Sequence, residues 1–300
     1  MKPLKRRQRH VLWGYIFLIP AILFLIGIFA YPVIETFRVS LYNWRFLSPF
    51  RPFVGFSNYV NLFSNQRFLT ALYNTVIYTI GVVPAELILG FMIALMINRK
   101  KMKGTGFFIT VYYIPVVTSM VAVAFVWRWM YEPDFGLINY FLGILNLSQP
   151  RWLLDTKTAL PAVMITSVWK AVGNSMIIFI AGLRNVPREF YEAAEIDGAT
   201  PFQQLRGITL PLLNPTILFL LITSVISSFQ VFNQIIVMTG QYYEAGGPLD
   251  STRVLVYHIY DIAFRSLKMG EAAAAAYVLF AIILVITLIQ FRLVERKVEY

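Results

Sequence analysis

The sequence predicts an all-α membrane protein with six transmembrane helices and both termini in the cytoplasm. Three observations predict it. Charged residues make up only 14% of the 300 and hydrophobic ones 58%, whereas a soluble domain carries about a quarter charged. Six segments are apolar over the roughly 20 residues that a span needs: 11–32, 70–98, 107–131, 158–183, 212–238 and 271–292. Lysine and arginine also collect beside those segments unevenly. With the N-terminus inside, the inner segments hold 15 of them and the outer segments 10, with Lys170 left within a span. Loops that stay cytoplasmic carry such an excess. The net charge of +11 is therefore mostly topological, and no nucleic-acid partner is expected.

The first span begins near Trp13 and ends near Tyr31-Pro32, with aromatic residues at both interfaces. Its basic start imitates a secretory signal. The apolar run is too long for one, and no small-residue cleavage site follows "FLIGIFAYPV", so it reads as a retained span. Residues 36–68 form an aromatic-rich outer segment, expected to make short helices over the membrane surface or to meet a partner outside. The second span carries Pro84 and Glu86 near its middle and ends in the cationic turn "NRKKMKG". The third ends in "WRWMYEPDFG", and 132–157 is an outer loop. The fourth runs to "IAGLRNVP". The fifth follows Pro211 and Pro215 and leads into the polar outer loop "GQYYEAGGPLDSTR". The sixth opens with "GEAAAAAYVLF", whose alanines offer a smooth face for close helix approach. No repeat or low-complexity linker interrupts the chain, so 1–300 reads as a single transmembrane domain.

The chain has no cysteine, which excludes disulfides, thiol catalysis and cysteine metal sites. Its histidines, His10 and His258, fall on opposite sides of the membrane in this topology, which argues against a histidine metal site. No catalytic residue, metal or cofactor is expected on this chain.

One inner segment stands out. Four of the 15 acidic residues, Glu189, Glu192, Glu195 and Asp197, fall within nine positions. Pro187 sits where a helix can start, because its missing N–H is not needed there. Glu189 then lies in the first turn, favourable with the helix dipole. Gly198 follows at the stopping point, where a left-handed residue is usual. Thr200 caps a second helix, with Pro201 first and Gln203 completing a capping-box pattern. Pro211 interrupts that helix before the fifth span. Helix, glycine corner, helix makes a rigid knob. A plain connection between helices takes about 2–8 residues, and this one is far longer.

"EAAEIDGATPFQQLRGITLP" resembles the EAA loop of ABC importer permeases through Glu192-Ala193-Ala194, Asp197-Gly198-Ala199 and Ile208-Thr209-Leu210-Pro211. The stretches "GYIFLIPAILF", "YPVIETFRVSLYNW", "FVGFSNYVNLF", "WRWMYEPDFGLIN", "GGPLDST" and "MGEAAAAAYVLF" are similar to the carbohydrate-type branch, the family of the maltose and glycerol-3-phosphate permeases. The resemblance covers nearly the whole chain. Leu205 departs from it where an aromatic is common, and "QYYEA" splits the turn after the fifth span. The resemblance implies a type I importer fold. It also implies a coupling helix seated in a cleft of an ATPase subunit, with Glu192 pairing a basic group, Ala193 and Ala194 permitting close approach and Gly198 making the corner. A second, similar permease, two ATPase subunits holding ATP and magnesium, and an external solute-binding protein would complete the machine. The chain itself has no G-x-x-x-x-G-K-[ST] phosphate cradle, so the ATPase is a separate chain.

Polar residues within spans mark pathways. In the fifth span, Thr223, Ser227, Gln230 and Gln234 recur at helical spacing, flanked by Ser224 and Ser228 with Asn233 at the edge. Hydroxyls and amides both donate and accept, as sugar hydroxyls do, and Phe229 and Phe232 are placed to stack on sugar rings. Single serines and threonines also serve simply as glue between helices. In the fourth span Ser167, Lys170 and Asn174 share a face. An unpaired ammonium at mid-span costs about 2.5–3.5 kcal/mol, so Lys170 needs a partner. An ion pair with Glu86, a substrate, or a group on another subunit are the three open to it. If Lys170 faces the pathway, an anionic solute fits. The leading reading is a permease subunit for a sugar or related polar solute in a bacterial or archaeal plasma membrane. The alternatives are a permease for amino acids or metals, a passive channel, or a membrane-embedded hydrolase.

Overall fold

The computed structural model describes the backbone of residues 6–98, 104–240 and 246–294. The 241–245 insertion, the inner cations at 99–103 and the basic residues at 2, 5, 296 and 297 lie outside the described residues. Helix α1 (Arg6–Phe24) continues through a π turn, Leu25–Ala30, into α2 (Tyr31–Ser40). The first span therefore reaches Ser40, beyond the expected end near residue 32. Pro32 falls in the first turn of α2, where a missing N–H does no harm. Helix α3 (Ser57–Phe63) is a short helix within 36–68, as expected there.

Helix α4 (Gln66–Ile97) starts where the Asn65 side chain accepts the Arg67 N–H at 2.9 Å. Then come α5 (Thr105–Val117), α6 (Met120–Met130), α7 (Leu137–Ile144) and the long α8 (Ala159–Asn185). The inner segment forms α9 (Arg188–Ile196), α10 (Pro201–Gln204), a π turn Leu205–Thr209 and α11 (Leu210–Leu212). Beyond it lie α12 (Asn214–Phe229), α13 (Asn233–Met238), α14 (Leu255–Tyr260) and α15 (Met269–Val294). Among the described residues four helices are long and apolar enough to cross a membrane, and up to six spans result if the bent pairs Thr105–Val117 with Met120–Met130 and Pro201–Leu212 with Asn214–Phe229 each count as one.

Two expected spans are not straight. The 107–131 span breaks between α5 and α6 with a 98° bend. Pro115 lies in the last turn of α5, and Thr118 turns its own hydroxyl back to the Pro115 carbonyl at 2.7 Å. Thr118 and Ser119 are extended. The 212–238 span stops at Phe229 and resumes as α13. Phe232, at φ −146°, leaves the helix and packs its ring against Tyr257 and Tyr260, 6.4 and 5.3 Å away.

The chain divides into two compact units, 1–64 with 262–278 and 65–261 with 279–300. In the first, the Asn58 amide donates to the Ser40 and Tyr42 carbonyls at 2.7 and 3.0 Å, and the Tyr277 hydroxyl donates to Val33 O at 3.0 Å. Four of the expected alanines, Ala272, Ala273, Ala274 and Ala275, are buried. In the second, α4 and α8 pack along each other. One core joins Tyr78, Val82, Val163, Ile235 and Tyr257, and another joins Ala94, Ile97, Met176, Phe179 and Leu220. Lipid is as apolar as these side chains, so close packing rather than water exclusion holds them. Gly173 makes one such approach possible: a Cβ there would lie 2.1 Å from the Tyr112 carbonyl oxygen. That contact seats α5 on α8.

Candidate functional site

A polar cavity of about 370 Å³ opens among α4, the α5–α6 break, α8, α12 and α13. Ser167, Lys170 and Asn174 line it from α8, and Thr223, Ser224, Ser227 and Ser228 from α12. The spacing on each helix puts these groups on one face, and the packing turns the two faces toward each other. Gln230 and Asn233 do not join them. Both are exposed beside the break that ends α12. Gln234 reaches the cavity instead, its amide donating to Tyr78 Oη at 3.2 Å and Ser167 Oγ at 3.3 Å. The expected aromatic stack is also absent from the cavity wall: Phe229 is buried and Phe232 packs on the tyrosines of α14.

Tyr78 is a lining residue that sequence reading missed. Its signal was there, because Tyr78, Val82 and Glu86 stand four apart and share a helix face. The hydroxyls are also more specific than their residue types imply. Ser167 donates to Val163 O at 2.9 Å and Thr223 to Phe219 O at 2.8 Å. Their protons are engaged within their own helices, so they offer lone pairs to the cavity.

Lys170 and Glu86 line this same cavity but are not joined as the expected ion pair. The Lys170 ammonium donates to the carbonyls of Pro115 at 2.8 Å, Val116 at 3.1 Å and Thr118 at 2.8 Å. The last carbonyls of a helix have no partner within it, and cations are favoured at that end. The break in the third span thus creates the acceptors that Lys170 needs. Glu86 is buried on the wall that Ser224 also lines.

The 187–211 segment folds as helix, corner, helix, as its sequence specifies. Gly198 adopts φ +75°, with nothing near its Cβ position. Its requirement is therefore conformational and not spatial. Thr200 and Gln203 form the reciprocal capping box. Pro187 is the residue before the helix rather than its first turn. Tyr191 Oη and Thr209 Oγ1 lie 2.9 Å apart, tying α9 to the π turn beneath α12. Glu192, Ala193, Asp197 and Gly198 are exposed and Ala194 is half-buried. Ile196 is 87% and Phe202 68% exposed. A polar knob with bare apolar tips is suited to docking.

The turn before α14 is built around the buried Arg253. Its guanidinium donates to Asp250 Oδ1 at 2.8 Å and Asp261 Oδ2 at 3.0 Å, and Asn74 donates to the carbonyls of Asp250 and Arg253. Burial, then the Arg253 charge, pushes the His258 imidazole down to about 4. That histidine is buried, packed on the Phe68 ring with its Nδ1 3.4 Å from the Arg253 guanidinium. No group of three or more potential metal ligands occurs among the described residues.

Comparison with known proteins agrees with this architecture. Residues 60–300 match the model of the binding-protein-dependent transport system inner membrane component. The chain is 35% identical to a probable ABC transporter permease, YurN, of Bacillus subtilis, covering 93% of this chain and 94% of that one. It is 34% identical to the lactose transport system permease LacF of Rhizobium radiobacter, covering 93% and 92%. A solved bacterial ABC transporter involved in import of the acidic polysaccharide alginate aligns with TM-score 0.83 at 26% identity, over 98% of this chain and all of that one. The same kind of transporter in complex with its alginate-bound periplasmic protein aligns at 0.80. The family match over residues 60–300 and relatives at 34–35% identity over nearly the whole chain make this chain a member of the binding-protein-dependent transport inner membrane components, a multi-pass ABC importer permease of the type I fold and a transporter subunit rather than an enzyme.

Proposed function

We propose that this chain forms half of the translocation path of an ATP-driven importer for a sugar or related polar solute. The solute would pass the cavity lined by Tyr78, Ser167, Asn174, Ser224, Ser227 and Gln234. The observation that carries the reading is this cavity of hydroxyl and amide groups within apolar helices, since polar groups at that depth are costly and mark pathways. The naming of one relative for lactose and of a structural neighbour for alginate supports a carbohydrate.

In this reading α9 and the Gly198 corner seat in a cleft of a separate ATPase, which binds the ATP and magnesium. Glu192 meets a basic group there, and Ala193 and Ala194 allow close contact. The Tyr191–Thr209 contact then passes the movement to the foot of α12. A second permease, a second ATPase and an external binding protein complete the assembly, with both termini of this chain cytoplasmic.

Copurification from native membranes tests this. Wild type should retain a P-loop ATPase and show ATP-dependent uptake from a panel of sugars. Gly198→Pro should lose both, because proline is confined to φ near −65° where the chain needs +75°. Transport that ignores ATP, with no ATPase retained, would leave the segment a mere connection.

A further inference from the structure

We infer that the cavity is built for an uncharged polyhydroxylated solute, with Glu86 as the acceptor that selects it and acidic sugars disfavoured. The inference rests on the transport reading above and deepens it.

Two residues lining the cavity carry ionisable charge, Glu86 and Lys170. An ammonium has three N–H donors, and Lys170 directs all three at main-chain carbonyls 2.8, 3.1 and 2.8 Å away. Those carbonyls belong to the negative end of α5, so the charge is compensated where it stands. An entering carboxylate or phosphate would have to pull Lys170 off the break and leave three acceptors bare. Lys170 is therefore a positioning residue for the α5–α6 break.

Glu86 is placed differently. It is buried on α4 at the cavity wall, which Ser224 of α12 also lines, and no ion pair to it occurs among the described residues. A carboxylate only accepts hydrogen bonds and has room for several. Thr223 also presents lone pairs, because its proton is spent within its helix, and Ser167 keeps the one that Gln234 does not occupy. The wall is thus rich in acceptors. A sugar hydroxyl can donate to it, whereas the carboxylate of a uronate or a phosphate group brings further acceptors and, facing an ionised Glu86, a like charge. The volume of about 370 Å³ falls in the range of small-molecule sites, about 300–1,000 Å³. The alginate importer aligns in backbone with this chain, so the distinction lies in side chains rather than fold.

The test uses cells carrying the intact transporter and cells lacking only this chain. Both receive an equimolar mixture of neutral disaccharides (lactose, maltose, trehalose) and acidic ones (diuronates from alginate, disaccharide phosphates). Intracellular solutes are read by mass spectrometry. Chain-dependent uptake should favour neutral members by roughly tenfold or more, since like-charge contacts are strongly selective. Glu86→Gln, checked for retained ATPase in the purified complex, should narrow that preference, and Glu86→Lys should narrow it further. Chain-dependent uptake of an acidic member at the neutral rate, or a preference indifferent to both substitutions, overturns the inference while leaving the transport reading intact. If either variant fails to assemble, the wild-type preference alone decides. Uptake of every member independent of this chain overturns the transport reading and this inference with it.

Discussion

The corner at Gly198 and the break at 117–120 both turn the chain sharply between helices, yet they draw on different sources. At the corner, Gly198 supplies the left-handed backbone and the Thr200–Gln203 box caps the next helix. Everything needed lies within six residues. At the break, Pro115 and Thr118 end the helix locally, but the carbonyls so exposed are satisfied by Lys170, more than fifty residues away. The first device is divisible into small independent parts. The second depends on one side chain and on the fit of α5 against α8.

The comparison predicts where damage is greatest. Gly173→Val should be the most severe substitution, because the added Cβ meets the backbone oxygen of Tyr112 and backbone cannot step aside. Overpacking costs about 1–3 kcal/mol or more, and the top of that range is expected, read as loss of thermal stability of the purified transporter. An unchanged melting temperature would show that α5 does not need this approach. Lys170→Met comes next, at about 2 kcal/mol, because it leaves three helix-end carbonyls, that of the buried Pro115 among them, without this donor. The absence of native cysteine makes spin labels at Thr110 and Val126 unique reporters. Their separation should broaden in Lys170→Met if the lysine holds the bend, and stay narrow if Pro115 and Thr118 suffice. Thr200→Ala should cost least, about 1 kcal/mol for a lost cap. It should weaken ATPase retention only slightly, because Gly198 still turns the chain. A complete loss of retention would mean that the corner is no more divisible than the break.

The same contrast explains what was legible beforehand. The inner knob could be read residue by residue, since capping and glycine chemistry act over three or four positions. Seven cavity residues on α8 and α12 could be read because hydroxyls, an amide and an ammonium stand out in apolar spans. The break in α12 could not, so Gln230 and Asn233 seemed to continue a face that in fact ends at Phe229, where Phe232 departs to meet Tyr257 and Tyr260. The partner of Lys170 was hidden for a related reason. A carboxylate announces itself in a sequence, whereas every residue has a carbonyl, and only a break elsewhere makes three of them available.

The π turn Leu205–Thr209 between knob and span sets an angular phase. Its Leu210 N–H reaches back five residues to Leu205 O, so the chain carries one residue more than an α-turn would. Each residue of an α-helix advances the chain by about 100°. Removing one residue here would turn Glu192 and Ile196 by about a quarter of a circle relative to α12. The direction in which this protein presents itself to its neighbours is thus held in a single residue's worth of slack.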